Sequence, residues 1–134
     1  MNTLTWKYVK PLQNKQAVTI FLNQFGLLFS DDFFNCIQKF NGGRPNKKIF
    51  DTHDSKGRMF KCLLSFNKND LESIYDAFNI MQKENSNLIP FANDPAGNYI
   101  CFEKSTMNIV FWEHETGRIE YVAKNFEEFL SSLY

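Results

Sequence analysis

Residues 88–103, which read LIPFANDPAGNYICFE, decide the fold predicted for this chain. Two apolar segments flank the polar stretch NDPAGN at residues 93–98. Asp94 can accept hydrogen bonds from the backbone amides that follow it, Pro95 pre-sets φ for the second turn position, and Gly97 can take the positive φ that closes the loop. The stretch therefore predicts a β-hairpin with a rigid polar tip, and such a tip is where a recognition surface or an active site can sit.

Length and composition predict one domain, residues 1–134, with a large aromatic core. Aromatic residues make up 16% of the chain and include 15 Phe, enough apolar material for a core that needs neither disulfides nor a metal. The formal net charge is zero, but residues 1–67 carry ten Lys or Arg against four Asp or Glu, and residues 68–134 carry five against eleven. This asymmetry either marks a partner-binding face or cancels when the two halves fold together.

Cysteine usage and the lack of a targeting segment predict a cytoplasmic protein. Cys36, Cys62 and Cys101 lie far apart among apolar residues, and their odd number excludes a complete internal set of disulfides. We expect them to be buried free thiols in a reducing compartment. The N-terminus shows no apolar signal-peptide region, and no apolar run approaches the length that spans a membrane, so no membrane partner is expected.

After an irregular lead over residues 1–14, apolar spacing predicts two helices. Apolar residues recur at i, i+3, i+4 and i+7 from Val18 to Phe25, and Gly26 is expected to end this helix. Ser30 can cap the N-terminus of the second helix. That helix is predicted to end at a left-handed turn built from Asn41, Gly42 and Gly43.

A third helix is predicted from Asp70 to about Glu84, and a fourth near the C-terminus. Asn69 and Glu72 form a pair that resembles a capping box at the start of the third helix. Its apolar stripe is Leu71, Ile74, Tyr75, Phe78 and Met81. The fourth helix is predicted to follow a similar capping pair, Asn125 and Glu128.

Besides the hairpin, four segments are predicted to form strands: 47–51, 58–66, 108–113 and 118–123. In the last of these, Ile119 and Tyr121 are expected to face the core, while Arg118 and Glu120 face solvent. Short turns join the later strands, which forces antiparallel pairing there. The chain is therefore predicted to be an α+β domain with a mainly antiparallel sheet of about five to six strands packed with about four helices.

The residues give little support to catalysis or metal binding. His53 and His114 are the two histidines, and neither has the spacing of a known metal motif. On a strand, Glu113 and Glu115 would share one face with His114 on the other, and this is the one dense titratable cluster. The cluster is either an acid/base pair or a strand end in solvent that adds to an acidic contact surface. No catalytic residue, metal or cofactor is assigned.

Direct nucleic-acid binding is not expected either. Basic residues form a loose zone at Arg44, Lys47, Lys48, Lys56, Arg58 and Lys61. The zone has few interleaved aromatic residues, and the chain's pI is near 6.7. A solvated sheet edge protected by lysines is the favoured interpretation.

The order of these motifs resembles the SUKH superfamily, which is named after the yeast cell-wall-synthesis regulators and is widespread in bacteria. Helix two ends in FNGG at 40–43, the string IPFANDPAGN at 89–98 follows, and IVFWEHE at 109–115 resembles the family's strand that closes in a His-Glu pair. The aromatic terminal helix FEEFL at 126–130 completes the set. The resemblance covers about residues 17–133.

The resemblance implies a non-enzymatic α+β binding domain. Bacterial members look like immunity proteins of polymorphic toxin systems, each of which binds a cognate toxin, frequently a nuclease, and blocks it in the cytoplasm. A regulatory or scaffold module for cell-wall synthesis or signalling is the alternative, and a hydrolase that uses Glu113 and His114 is a third. For the first function, the predicted toxin-binding residues are Asp94, Asn98, Glu113, Glu115 and Glu120. The predicted structural turn residues are Asn41, Gly42, Gly43, Pro95 and Gly97.

Overall fold

A computed structural model describes residues 4–134. Within these described residues there are four helices: α1 (Ala17–Phe25), α2 (Asp31–Phe40), α3 (Ile74–Glu84) and α4 (Phe126–Ser132). The same part of the chain contains nine strands: β1 (Trp6–Lys7), β2 (Arg44–Pro45), β3 (Ile49–Phe50), β4 (Arg58–Met59), β5 (Cys62–Leu63), β6 (Leu88–Asn93), β7 (Tyr99–Glu103), β8 (Ile109–Trp112) and β9 (Ile119–Ala123).

The strands form one five-stranded sheet and two small ones. The large sheet has the order β5-β6-β7-β8-β9 with antiparallel neighbours, while β1 pairs with β2 and β3 pairs with β4. The hairpin predicted from residues 88–103 is confirmed as β6 and β7, with Asn93 opposite Tyr99 next to the tip. The predicted α+β class with a mainly antiparallel sheet is confirmed.

Aromatic side chains fill the core on one face of the large sheet. Phe33 of α2 is fully buried at its centre. Its ring centroid lies 4.7 Å from that of Phe29, 5.6 Å from Phe91, 5.1 Å from Phe102 and 5.1 Å from Phe126. These mostly edge-to-face contacts join α2 and α4 to the sheet. The core thus fixes the middle of β6 and β7, the strands that carry the polar tip.

A smaller cluster covers the opposite face of the sheet. Met81 of α3 packs there with Leu88, Cys101, Val110 and Trp112. β8 is buried along its whole length, as expected for a central strand covered on both sides. Among residues 4–134, no helix combines the length and apolar character required to cross a lipid bilayer.

Local capping signals set most of the helix ends. Gly26 ends α1 at φ 63°, and the Ser30 hydroxyl accepts a hydrogen bond from the Phe33 amide at the start of α2. Asn125 caps α4 by accepting from the Glu128 amide at 2.8 Å. The turn after α2 takes its positive φ, 72°, at Gly42. These ends follow the predictions.

The start of α3 differs from the prediction. The helix begins at Ile74, and its cap is Ser73, whose hydroxyl accepts from the Asp76 amide. Asp70 is held outside the helix because its carboxylate accepts hydrogen bonds from Ser65 and Asn67. Leu71, which was expected on the buried stripe, is consequently 96% exposed.

Strand geometry also departs from the prediction at two places. Segment 58–66 is not one alternating strand but β4 and β5, and consecutive residues 62–67 are buried. In β9 the predicted faces are reversed, since Glu120 is 3% exposed whereas Ile119 and Tyr121 are 39% and 42% exposed. Within the lead expected to be irregular, β1 pairs with β2.

The three cysteines are free thiols. Cys62 and Cys101 are buried and Cys36 is half-buried. Burial raises the pKa of Cys36 to about 12. Burial, with Glu72 nearby, raises the pKa of Cys62 to about 12 as well. The pKa of Cys101 is raised by burial. All three therefore hold their protons at neutral pH.

Candidate functional site

The hairpin tip is held rigid by one carboxylate, that of Asp94. Its Oδ1 atom accepts hydrogen bonds from the amides of Ala96, at 2.9 Å, and Asn98, at 2.8 Å, and its Oδ2 accepts from the Asn98 side-chain amide at 2.8 Å. The Asp94 amide donates to the Asn98 carbonyl in return. Gly97 closes the loop at φ 87°. The tip is a closed set of local hydrogen bonds of the kind that Asp favours in turns.

Asn98 ties this tip to the neighbouring turn between β8 and β9. Its side-chain oxygen accepts from the His114 amide at 3.0 Å. A Cβ added to Gly97 would lie 3.7 Å from Cδ2 of the His114 ring, so the two turns are in contact. The structure thus brings together the predicted segments 93–98 and 113–115 at one end of the sheet.

The exposed part of this end is small and polar. Residues 95–97 and 114–117 are exposed, and Glu113 is partly exposed. We call residues 95–97 and 113–117 the tip rim. Asp94 and Asn98 lie beneath the tip rim, at 8% and 7% exposure. Their predicted contact with a toxin remains a prediction. Within the chain, their hydrogen bonds hold the tip rim in place.

Glu113 and Glu115 do not share a strand face, because β8 ends at Trp112. The Gly117 amide donates to the Glu113 carbonyl, and the Thr116 hydroxyl donates to the Glu113 carboxylate at 2.8 Å. Within residues 4–134, the Glu115 side chain makes no hydrogen bond or ion pair. Glu115 is therefore the free carboxylate of the tip rim.

A cleft of about 270 Å³ adjoins the tip rim, with Glu84, His114 and Glu115 among its lining residues. Glu113 does not line it, so the acid/base combination of Glu113 with His114 is not assembled in this cleft. Across residues 4–134, no group of three or more His, Cys, Asp or Glu side chains is arranged to hold a metal ion. The backbone amide of His53 donates a hydrogen bond to the Tyr121 carbonyl at 2.7 Å.

Glu120 is the centre of a buried ionic cluster. Its carboxylate accepts from the Thr52 hydroxyl at 2.8 Å and the Ser55 hydroxyl at 3.1 Å. Nη2 of Arg58 donates to both of its oxygens, at 3.2 and 3.1 Å, while the Arg58 guanidinium lies 4.5 Å from the centroid of the Phe111 ring. The cluster fixes the loop between β3 and β4 against the edge of β9.

The pKa of Glu120 records this environment. Burial alone would raise the pKa of the carboxyl, but the hydrogen bonds from Thr52, Arg58 and Ser55 and the positive charge of Arg58 outweigh it, and the pKa is lowered. Glu120 is therefore an ionised, fully bonded side chain. Its predicted role in toxin contact remains a prediction.

Two exposed apolar residues beside the tip rim were missed by the sequence reasoning. Ile119 pairs with Trp112 and Tyr121 pairs with Val110, so both lie on the sheet face that α3 covers. α3 leaves them exposed at the sheet edge. Their alternation with Glu120 was the available signal, but it was assigned to the wrong face.

Comparison with known proteins gives two matches. The SUKH_6 family model, described as SMI1-KNR4 cell-wall, matches residues 17–130. A curated protein of Bacillus subtilis (strain 168), the SPbeta prophage-derived uncharacterized protein YokK, is 32% identical over 74 residues. That alignment covers 52% of this chain but only 38% of the relative, so the chain matches well under half of the relative's length.

Proposed function

The chain belongs to the SUKH family, and from this premise we propose that it is an immunity protein that binds a cognate bacterial toxin in the cytoplasm and blocks it. The family includes immunity proteins. The proposed activity is protein binding without catalysis by this chain. One observation carries the proposal: the tip rim is an exposed surface supported from beneath by a complete hydrogen-bond network.

The support matters because binding to a rigid surface costs less ordering entropy than binding to a loose one. Asp94 holds the loop of one turn, and Asn98 fastens it to the other. The tip rim can therefore meet a partner without rearranging. In this proposal Asp94, Asn98 and Glu120 act as supports, and Glu113 and Glu115 supply the contacts.

The chemistry of the tip rim favours a basic partner surface, such as the substrate-binding face of a nuclease. Glu115 is exposed and unpaired within residues 4–134, whereas Glu113 is partly exposed and its carboxylate lies 3.9 Å from Nη2 of Arg58. Exposed carboxylates opposite basic residues speed association more than they slow dissociation. The adjacent Tyr121 and Ile119 supply apolar area of the type that dominates interface energies. Occupation of the nuclease's substrate face by this surface would block the toxin.

The test is co-expression of the chain with the protein that the neighbouring gene encodes. The bacterial host is one that the neighbouring gene product kills when it is expressed alone. We expect the chain to restore growth and to co-purify with the toxin. Tyr121→Ala is expected to weaken binding by about tenfold or more, as for an aromatic contact residue. Glu115→Lys is expected to lower the association rate and the salt dependence of binding.

Glu127→Lys is the matched control, because Glu127 is an exposed carboxylate on α4. A thermal melt of each variant separates loss of binding from loss of folding. If Glu115→Lys and Tyr121→Ala bind the toxin as the parent chain does, the proposed contact surface is wrong. If the parent chain fails to bind or protect, the immunity function itself is wrong.

A regulatory role is the second candidate, and the family's description as SMI1-KNR4 cell-wall is the observation that favours it. A regulator would not need a toxin gene beside its own. A neighbouring gene for a large secreted toxin favours immunity. If no such neighbour is present, and deletion of this chain's gene alters the sensitivity of the cells to cell-wall antibiotics, a regulatory role is favoured.

A further inference from the structure

A second surface, on the β5 side of the hairpin tip, is a groove of about 540 Å³. Four cationic side chains line it: Lys7 of β1, Arg44 of β2, Lys48 and Lys61. None of its lining residues within the described chain is Asp or Glu. We call it the cationic groove. Like charges gathered in a concave surface reinforce one another's field, so the groove attracts anions.

The four cationic side chains differ in whether they already have a partner within the chain. Nζ of Lys61 lies 2.9 Å from the Glu72 carboxylate, and the Arg44 guanidinium lies 5.3 Å from the centroid of the Tyr8 ring. The Lys7 and Lys48 side chains make no hydrogen bond, ion pair or ring contact within residues 4–134. These two ammonium groups are available to a ligand.

The groove also has an apolar component. Met59, at 36% exposure, and the exposed Pro95 line it, above the buried Pro45 and Phe60. A simple inorganic anion would leave this apolar surface in contact with water. A ligand that carries both carboxylates and an aliphatic or aromatic side chain matches the whole groove.

The mouth of the groove carries a strained residue. Tyr8 has φ 58°, in the left-handed region that costs a non-glycine residue about 1–2 kcal/mol, and its side chain is 72% exposed. The flanking backbone holds it there, since Lys7 pairs with Arg44 and the Lys10 amide donates to the Asn41 carbonyl at 2.8 Å. Strain of this kind clusters at functional sites, where it fixes the position of a side chain.

We propose that the cationic groove binds an acidic segment of a partner protein. Carboxylates of the segment pair with Lys7 and Lys48, and an aliphatic or aromatic side chain of the segment packs on Met59 and Pro95. The proposal does not rest on the immunity function, because a regulator could use the same groove. A single-stranded nucleic acid is a weaker match, because Arg44 already occupies a position over the Tyr8 ring, on which a base would stack.

The experiment measures binding of the full chain to fluorescent probes by anisotropy. The first probe is a labelled peptide that alternates Asp-Glu pairs with Leu and Phe. The second is the same peptide with Asn and Gln in place of its acidic residues, and the third is a labelled oligothymidylate. We expect the acidic peptide to bind most tightly and to weaken as salt is added.

The decisive variant is Lys7→Glu combined with Lys48→Glu, which is expected to weaken peptide binding by about tenfold or more. Its matched control is Lys83→Glu combined with Lys124→Glu, which makes the same charge change at exposed lysines outside the groove and is expected to leave binding within about twofold. Met59→Ser tests the apolar component and is expected to weaken binding by a few fold.

Three outcomes would overturn the proposal. In the first, the acidic peptide fails to bind the parent chain. In the second, the groove variant and the control variant weaken peptide binding equally. In the third, the oligothymidylate binds the parent chain more tightly than the peptide does, and Lys7→Glu with Lys48→Glu abolishes that binding. The last outcome would assign the groove to nucleic acid. Toxin neutralisation by the same variants is scored separately, so failure of this proposal and failure of the immunity function are distinguishable.

Discussion

The hairpin tip and the cationic groove meet at Pro95, yet they use polar side chains in opposite ways. At the tip, Asp94 and Asn98 are turned inward and bonded to backbone amides. In the groove, Lys7 and Lys48 point into solvent without a partner in the described chain. The first arrangement stabilises the fold. The second leaves ammonium groups that can bind a partner, as a binding surface requires.

The two regions also differ in how far apart their residues lie along the sequence. The string around residues 90–98 is easily recognised because the hydrogen bonds that shape its turn, from Ala96 and Asn98 to the Asp94 carboxylate, lie within the string itself. The groove draws its lining from four separate segments of the chain, near residues 7, 44–48, 59–61 and 95. A motif that is obvious in sequence is therefore the scaffold here, and the candidate recognition surfaces are assembled by the fold.

Substitution of Glu120, an inward-facing carboxylate like Asp94, should destabilise the fold more than any other change considered below. Glu120→Gln replaces charge-assisted hydrogen bonds with neutral ones and removes the nearer counter-charge of the Arg58 guanidinium, which then keeps the Glu113 carboxylate at 3.9 Å. We expect the free energy of unfolding to fall by about 2–3 kcal/mol. Urea denaturation measures it, with Glu127→Gln as the exposed control. If the free energy of unfolding falls as little as it does in the control, Glu120 does not stabilise the fold.

Asp94→Ala should have the next largest effect, because it leaves the amides of Ala96 and Asn98 without their acceptor. We expect a loss of about 1–3 kcal/mol in the free energy of unfolding. Faster amide hydrogen exchange should appear at residues 95–98. Unchanged stability would mean that the tip is held by its flanking strands alone, and the contrast with the groove would disappear.

A smaller effect is expected from acidification, and its sign follows from the lowered pKa of Glu120. A carboxyl whose pKa is lower in the folded state binds protons more readily when unfolded, so its contribution to stability is complete above the unfolded-state pKa. That contribution is lost as the pH falls through the folded-state pKa. Melting temperatures recorded from neutral to acidic pH should therefore fall less steeply in Glu120→Gln than in the parent chain. Equal slopes would contradict the assignment.

The smallest effect on folding is expected in the groove. Lys7→Glu with Lys48→Glu should change the free energy of unfolding by less than about 0.5 kcal/mol, since neither side chain has a partner to lose within residues 4–134. The same double variant is the one expected to abolish most binding of an acidic peptide. Substantial destabilisation would show that these lysines serve the fold, and the comparison between tip and groove would fail.

The parts of the fold that were predictable are those set by neighbouring residues. Ser30, Gly26 and Asn125 cap their helices through hydrogen bonds or backbone angles that span only a few residues. The turn at 94–98 is likewise shaped by hydrogen bonds from Ala96 and Asn98 to the Asp94 carboxylate and by the positive φ of Gly97. Such signals act in the same way in any fold, so they can be interpreted without knowing the rest of the structure.

The errors arose where distant residues decided the outcome. Asp70 was expected inside α3, but Ser65 and Asn67 bind its carboxylate and delay the helix start to Ile74. Glu120 was expected in solvent, but a loop more than sixty residues earlier supplies Thr52, Ser55 and Arg58 as its partners. Local patterns carry no information about such partners.

The candidate site was partly predictable for the same reason. The prediction identified the two turns that meet at the tip rim, but it could not distinguish contacts from supports, because exposure depends on the whole fold. Ile119 and Tyr121 were placed in the core on the strength of their alternation. The basic zone of 44–61 was also divided by the fold, with Arg44, Lys48 and Lys61 in the groove and Arg58 bound to Glu120.

The three protonated thiols have a practical consequence for experiments on this protein. Only a thiolate reacts rapidly with maleimides and other alkylating labels, and burial keeps Cys36, Cys62 and Cys101 as thiols. A cysteine introduced on the exposed tip, as in Ala96→Cys, would therefore be labelled much faster than the native ones. The unaltered chain is thus a suitable background for placing a spin label or a crosslinker at the tip rim, where it would report on a bound partner directly.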